Sequence, residues 1–401
     1  MGNCLVAQSG GPSSVINATI AGIVKANQLN RIYDKVYGGL HGIEGILDEL
    51  FVDLTDMKTE ENRILRQTPA SALGSCRYKL KRENVEDFVR LFAILEKYDI
   101  DTMFYTGGND SMDTVYALSE YAENKKISNR RFVGCPKTVD NDLVVTDHCP
   151  GFGSAAKFIN ITANTTWLDY NVYTREEVFV IETMGRDAGW LAASACVSGK
   201  VDILLLPEKA FDKDAFLARV KEIVTATKKC FIIVSEGVRY ADGTYVAAGE
   251  AKNDGFGHAI LGGAGQALRN MILETKTAAR VKVQDLSTAQ RCAVQCQSLV
   301  DVEESFNLGM SAHMHSMDPN FTGYMVGLLR EPGDEYQIKY ITVKAGEVAN
   351  KVKNFPNEWI LPDMKGITQE GINYIKPLIC GEPDLRYKDG VVAYVTPYYK
   401  K

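Results

Sequence analysis

Short apolar runs that each end in a glycine turn and lead into a helical pattern recur along this chain, and they limit what it can fold into. Cys4-Leu5-Val6-Ala7 precedes Ser9-Gly10-Gly11, after which Val15 to Val24 carries apolar residues at helical spacing. Lys35-Val36-Tyr37 runs into a glycine-punctuated loop, Met103-Phe104-Tyr105 into Gly107-Gly108, and Val178-Phe179-Val180-Ile181 into Met184-Gly185-Arg186. Ile203-Leu204-Leu205-Leu206 stops at Pro207, and Phe231-Ile232-Ile233-Val234 runs into Ser235-Glu236-Gly237. Continuous apolar runs alternating with helices are the pattern of parallel strands covered on both faces. The expected fold class is α/β, with the ligand groups clustered just after the strands, where open parallel sheets bind ligands at their carboxyl ends.

At 401 residues the chain is long enough for two domains around separate cores, or for one large α/β unit. A boundary is expected between Asp142 and Pro150, giving domains 1–145 and 146–401, with C-terminal segments returning across both. From Tyr340 onward the pattern loses regularity and is expected to wrap onto the second domain. The net charge of −6 offers no extended basic field for nucleic acid or an anionic membrane, so any phosphate site must be local. No segment approaches the ~20 apolar residues of a membrane span, and the amino terminus lacks a charged-then-apolar signal. The nine cysteines are scattered, with Cys292 and Cys296 one helical turn apart, which suggests reduced thiols in a cytoplasmic protein. His313 and His315 flank Met314 without a nearby Cys or second His pair, and helix packing or surface exposure explains them better than a metal.

Two stretches carry chemistry. Gly107-Gly108-Asn109-Asp110-Ser111 follows a strand and opens a helix. Its glycines allow close backbone approach, and the helix start offers free N–H groups to an anion. Pro136-Lys137-Thr138-Val139-Asp140-Asn141-Asp142 follows Arg131-Phe132-Val133 and packs a lysine and two carboxylates together. In extended backbone Asp140 and Asp142 share a face, so one can serve as general base while the other holds Mg²⁺. An acidic turn would explain Asn141-Asp142 but not the upstream lysine. Asp110 is a carboxylate inside a phosphate cradle. It suits a helix N-cap, and it would exclude a long polyphosphate while tolerating a short one with magnesium between.

The remaining candidates are weaker singly. Gly10-Gly11-Pro12 is an anion-holding turn or only a tight one. Arg77 ends the Leu73-Gly74-Ser75-Cys76 loop. Arg186 beside its glycine turn suits a sugar phosphate. Glu236 at a strand end can accept from sugar hydroxyls, and Gln290-Arg291 opens a helix.

Together these motifs resemble the phosphofructokinases, specifically their pyrophosphate-dependent branch, over most of the chain. Pro150-Gly151-Phe152-Gly153-Ser154-Ala155, Asp254-Gly255-Phe256-Gly257-His258 and Tyr374 with Pro377-Leu378-Ile379 extend the match in the family's order. The resemblance implies two Rossmann-like, mostly parallel sheet domains with the active site in the cleft between them. It also implies reversible, Mg²⁺-dependent transfer of phosphate from pyrophosphate to the 1-hydroxyl of fructose 6-phosphate, within glycolysis and gluconeogenesis, by a homo-oligomer (dimer or tetramer). It implies that Asp140 is the base, with Lys137 and Asp110 beside it in the catalytic group. Gly11, Arg77 and Gly108 would hold the donor. Thr138, Asp140, Met184, Gly185, Arg186, Glu236, Thr288 and Arg291 would hold the sugar phosphate, and Asn109 with Asp142 the metal. The positions of Asp110 and Lys137 are typically glycine in the ATP-using branch. Three residues depart from the family pattern: Asn109 replaces a magnesium-binding aspartate, Thr288 a Tyr or His, and Glu177 an arginine contributed across a subunit interface. The competing readings are an ATP-dependent phosphofructokinase and a regulatory subunit that binds sugar phosphate without turnover. A dehydrogenase is disfavoured because no Gly-x-Gly-x-x-Gly follows the first strand.

Overall fold

A computed structural model describes residues 2–247, 262–333 and 335–400. The Asp254–His258 motif lies outside the described residues.

Strands β1 (Asn3–Gln8), β2 (Val36–Gly39), β3 (Phe51–Asp53), β4 (Ile100–Gly107) and β5 (Arg131–Pro136) come first. They are followed by β6 (Glu177–Thr183), β7 (Ile203–Leu205), β8 (Lys229–Ser235) and β9 (Val281–Asp285), then β10 (Tyr324–Arg330) and β11 (Ile338–Lys344). One sheet has the order β11-β10-β5-β4-β1-β2-β3, parallel except for the outer pairs β2–β3 and β10–β11. The second, β7-β8-β6-β9, is wholly parallel. The mostly parallel α/β class expected from the apolar runs is the one observed.

Why the runs are continuous is plain from what covers each face. Leu5 and Ala7 of β1 pack beneath the helix Val85–Lys97 through Phe88 and Leu91. Cys4 and Val6 point the other way, onto Ile20, Ile23 and Leu308. In the second sheet Phe179 and Ile181 face the helix Phe152–Tyr170, whereas Val178 and Val180 face Phe216 and Leu268. Neither face of either central strand meets water, so neither can afford the polar alternation of a half-exposed strand.

The chain divides its last third between the two sheets. After β9 it returns through the helix Leu299–His315, which lies across the helix Ile16–Asn30. That crossing is closed by two glycines: a Cβ on Gly22 would fall 2.0 Å from the Phe306 carbonyl oxygen, and one on Gly309 2.0 Å from that of Thr19. A side chain at either position would drive the helices apart. His313, in the same helix, is buried edge-on against Tyr33 with centroids 5.4 Å apart, a packing role. Residues beyond Tyr340 differ from the expected wrap onto one domain. Ile338–Lys344 is an edge strand of the first sheet, Trp359 packs on Trp190 beside the second, and Tyr398 N–H donates to the Ala72 carbonyl 2.9 Å away. An edge strand buries little, and β11 buries only Val343, which is why its pattern looked irregular. No helix among the described residues is long and apolar enough to cross a membrane.

A buried ionic network pins the connection after β5 to the returning helix. His148 Nδ1 lies 2.9 Å from Asp147 Oδ1 and its Nε2 2.6 Å from Glu304 Oε2. Tyr336 Oη donates to Glu304 Oε1 at 2.6 Å, and Arg330 contributes to Asp147 at 3.1 Å. Burial alone would push the imidazole down, but Glu304 and Asp147 outweigh it and raise His148 to about 9. A raised folded-state pKa gives stability that is complete below the unfolded value of 6.5 and is lost as pH rises through about 9. The difference amounts to roughly 3 kcal/mol. Denaturant unfolding at pH 6 and pH 9.5 is therefore expected to show a loss of that order in the native protein and a much smaller loss in His148→Gln. An identical pH dependence in both would exclude His148 as the source.

Candidate active site

The carboxyl ends of the central strands of both sheets open onto one cleft of about 860 Å³. On the first sheet's side, β1 ends at Gly10-Gly11, β4 at Gly107-Gly108 and β5 at Lys137. These three ends are tied together. Lys137 N–H donates to the Gly107 carbonyl at 2.9 Å, its ammonium donates to the Gly11 carbonyl, and Ser9 and Ser111 hydroxyls meet at 2.8 Å. The Leu73–Arg77 loop joins them, Ser75 Oγ donating to the Gly10 carbonyl at 2.7 Å. The approach here is close: a Cβ on Gly11 would sit 3.2 Å from an Arg291 nitrogen, so the arginine would have to give by a few tenths of an ångström. Gly108 caps the helix Asn109–Asn124, whose first turn holds Asp110, 3.6 Å from Lys79 Nζ.

Lys137 is buried, and desolvation pulls its pKa down to about 8, with Arg291 and Arg77 adding repulsion and Asp140 and Asp142 opposing. Arg77 is likewise lowered, by burial first and then by Arg291 and Arg186. Cations that depress one another in a shared cleft are stabilised by a bound polyanion, which is what a phosphate-carrying donor and acceptor would be.

Asp140 and Asp142 both line the cleft, but not through extended backbone. Asn141 between them has φ 54°, a left-handed turn that Asn tolerates. Its fully buried amide holds that turn, accepting from Cys149 N–H at 2.9 Å and donating to Tyr374 Oη at 3.2 Å. The expected shared strand face is thus replaced by a pinned turn. The Asp140 carboxyl is pushed up, chiefly by burial and further by Asp142 and Glu236, while Arg186 and Lys137 pull the other way. Asp142 is pushed up by burial as well. Asp140 Oδ1 is buried with no hydrogen-bond donor among the described residues.

From the second sheet, β6 delivers Met184, Gly185 and Arg186, and β8 delivers Glu236. Ser235 Oγ donates to the Gly185 carbonyl, and Gln290 Oε1 accepts from Met184 N–H at 3.1 Å, so the loop is fixed from two sides. Arg186 Nε is 2.7 Å from Asp187 Oδ2, and Arg239 reaches Asp187 Oδ1 at 2.6 Å. Burial raises Glu236 to about 7. Thr288 and Arg291 close this side.

Every residue given a catalytic, donor, sugar or metal role from the sequence lines the cleft except Gly185, which shapes the loop between Met184 and Arg186. Gln290 stands outside the lining and accepts from Met184 N–H. Lys79, Asp187, Arg239, Asn350 and Val352 line it too and were missed. Arg239 follows a strand end as Arg186 does, a signal that was available; Asn350 and Val352 carry none. Glu177 lies at the amino end of β6, away from the cleft. It is fully buried, with Arg280 Nε 2.9 Å and Lys282 Nζ 3.5 Å away, and Arg175 Nε and Lys229 Nζ each at 3.9 Å.

The family described as phosphofructokinase matches residues 3–313. The chain belongs to the phosphofructokinase family. Relatives named pyrophosphate–fructose 6-phosphate 1-phosphotransferase include that of Xanthomonas campestris pv. campestris, 38% identical over 98% of this chain and 96% of that protein. The Rhodospirillum rubrum protein of the same name is 35% identical over 98% of each. The crystal structure of pyrophosphate-dependent phosphofructokinase from Nitrosospira multiformis superposes with a TM-score of 0.88 at 34% identity, covering 99% of this chain and 96% of that one.

Proposed function

We propose that the chain is a pyrophosphate-dependent 6-phosphofructokinase, transferring a phosphoryl group from pyrophosphate to fructose 6-phosphate to give fructose 1,6-bisphosphate and phosphate. The observation that carries this reading is the pairing of Lys137 and Asp110 at one glycine cradle, opposite Asp140, in a chain whose full-length relatives carry that name. The 1-hydroxyl oxygen attacks phosphorus, the bridging P–O bond breaks, and Asp140 accepts the hydroxyl proton. With its pKa raised above the ordinary carboxylate range, Asp140 can both take that proton and return it, as a reversible transfer requires. Lys137 places its charge against the departing phosphate. Arg186 and Arg291 hold the sugar's phosphate, and Glu236 accepts from a hydroxyl.

Mg²⁺ fits this site as a partner of the substrate. No group of three or more His, Cys, Asp or Glu among the described residues forms a metal cage. One or two carboxylates completed by substrate phosphates is the usual magnesium arrangement. Asp142 and Asp110, which line the same cleft as the donor-free Asp140 oxygen, would supply those carboxylates. When bound, the ion neutralises charge on the transferring phosphoryl group. The absence of any membrane-spanning helix among the described residues is consistent with a cytoplasmic enzyme. Ile161 and Leu168, exposed on the helix Phe152–Tyr170 beside exposed Val172 and Tyr173, support a homo-oligomer.

Purified protein given fructose 6-phosphate and Mg²⁺ is expected to turn over with pyrophosphate and to show little activity with ATP. The reverse reaction is expected from fructose 1,6-bisphosphate and phosphate. Comparable kcat/KM with ATP and pyrophosphate would move the chain to the ATP-using branch, and no turnover with either would leave a sugar-phosphate-binding subunit.

A further inference from the structure

Between the last helical turn after β11 and Trp359, the chain runs without regular secondary structure past both halves of the cleft. Asn350 and Val352 of this segment line the cleft. The segment starts at a left-handed residue, Asn350, with φ 58°. From there each anchored position meets a different part of the site. Asn350 N–H donates to Asn109 Oδ1 at 3.2 Å, and the Lys351 carbonyl accepts from Asn109 Nδ2 at 3.1 Å. Lys353 N–H donates to the Asp142 carbonyl at 2.7 Å, and its ammonium reaches the Thr146 and Asp147 carbonyls at 3.2 and 2.7 Å. Trp190 Nε1 donates to the Lys353 carbonyl at 2.9 Å. Phe355 N–H then donates to Glu208 Oε1 at 2.8 Å, an oxygen that also accepts from Gly189 N–H, three residues beyond Arg186.

We infer that Asn109 is a positioning residue whose side-chain amide clasps the 350–353 segment over the donor side of the cleft and thereby helps fix the turn that carries Asp142. This rests on the proposed donor reading for its kinetic consequence, but the clasp itself is a matter of geometry. The two amide atoms have fixed roles, because one partner is a backbone N–H and the other a backbone carbonyl. A carboxylate at this position could accept from Asn350 but could not donate to Lys351, and would set its charge against that carbonyl. Asparagine is therefore suited to the clasp in a way that aspartate is not. The amide oxygen already accepts from a backbone N–H, so its main work is to hold the segment and not to bind the ion.

The test is hydrogen exchange on the whole protein, native and with Asn109→Asp or Asn109→Ala, read on peptides spanning residues 349–355, together with steady-state kinetics. Asn109→Ala loses both hydrogen bonds and is expected to speed exchange at the Asn350 and Lys353 amides by about 10–100-fold. Asn109→Asp keeps an acceptor for Asn350 N–H, loses the bond to the Lys351 carbonyl, and is expected to speed exchange at Lys353 by about 10-fold. Peptides of β6 and β8 should be unchanged. In both variants KM for pyrophosphate should rise about 10-fold or more at saturating Mg²⁺, while KM for fructose 6-phosphate changes little. Asn109→Asp, despite offering a carboxylate to the metal, should not lower the Mg²⁺ requirement. Unchanged exchange in the segment in both variants would overturn the inference. So would a lower Mg²⁺ requirement in Asn109→Asp with unaltered exchange, which would make residue 109 a metal ligand. If the protein has no pyrophosphate-dependent activity, the exchange measurement still decides the clasp, so the two failures are distinguishable.

Discussion

Asp140→Asn is expected to lower kcat by about 10²–10⁴-fold, the range for a positioned general base, while leaving sugar-phosphate binding nearly intact. Asparagine keeps the shape of the side chain and its place on the pinned Asn141 turn, so what is lost is the proton acceptor. Its neighbours argue that this acceptor is tuned. Burial, Asp142 and Glu236 all push the Asp140 carboxyl up, and Arg186 and Lys137 keep it from becoming permanently protonated. The rising limb of the kcat/KM profile should therefore lie above the ordinary carboxylate range in the native enzyme and disappear in the variant. Fructose 6-phosphate binding, measured by calorimetry in both proteins, separates a lost base from a lost fold. Retention of more than about a tenth of native kcat would be too small a loss for such a base and would remove Asp140 from that role.

The donor preference should turn on two positions. Asp110→Gly is expected to raise ATP use and depress pyrophosphate use. A unit negative charge about 4 Å from a nucleotide's inner phosphate costs about 4 kcal/mol at an effective dielectric of 20, or roughly 10³-fold in kcat/KM. Glycine removes both that charge and the bulk, and it is the residue typical of the ATP-using branch. Lys137→Ala is expected to depress pyrophosphate-dependent kcat by about 10²-fold or more with little change in KM for the sugar, since the lysine acts on the departing oxygen. Because burial brings the free enzyme's Lys137 to about 8, native kcat/KM for pyrophosphate should fall as pH rises through that value. Alanine at 137 should abolish that descending limb. A rise in sugar KM without loss of kcat would assign Lys137 to ground-state binding instead.

The parts legible in the sequence were those that physics writes into side chains. Val178 to Ile181 and Phe231 to Val234 announce strands because both their faces are buried, and Gly107 announces a turn because a Cβ there would fall 2.0 Å from Ser111 Oγ. Lys137, Asp140 and Asp142 stand out because charges so close together need an opposing ligand. What stayed hidden was written in the backbone. The clasp on Asn109 uses an N–H and a carbonyl that every residue owns, so nothing at Asn350 or Lys351 marks them. The turn at Asn141 was available in principle, since Asn-Asp favours it, yet alternation suggested a shared strand face and the local preference won. Strand β11 escaped notice because a sheet edge needs few buried residues.

The glycine crossing of the helices Ile16–Asn30 and Leu299–His315, with β10 joining β5, has a consequence for biosynthesis. A ribosome releases β1 to β5 and the first of these helices long before their partners exist. Until residues 299–344 emerge, the open edge of β5 and the apolar flank holding Ile20 and Ile23 have nothing to pair with, although the second sheet can already form. The nascent chain thus carries a sticky, half-built first sheet through most of its translation. Such long-range closure is slow and exposes the chain to self-association, so yield should be governed by elongation speed and chaperone supply more than by the stability of the finished enzyme.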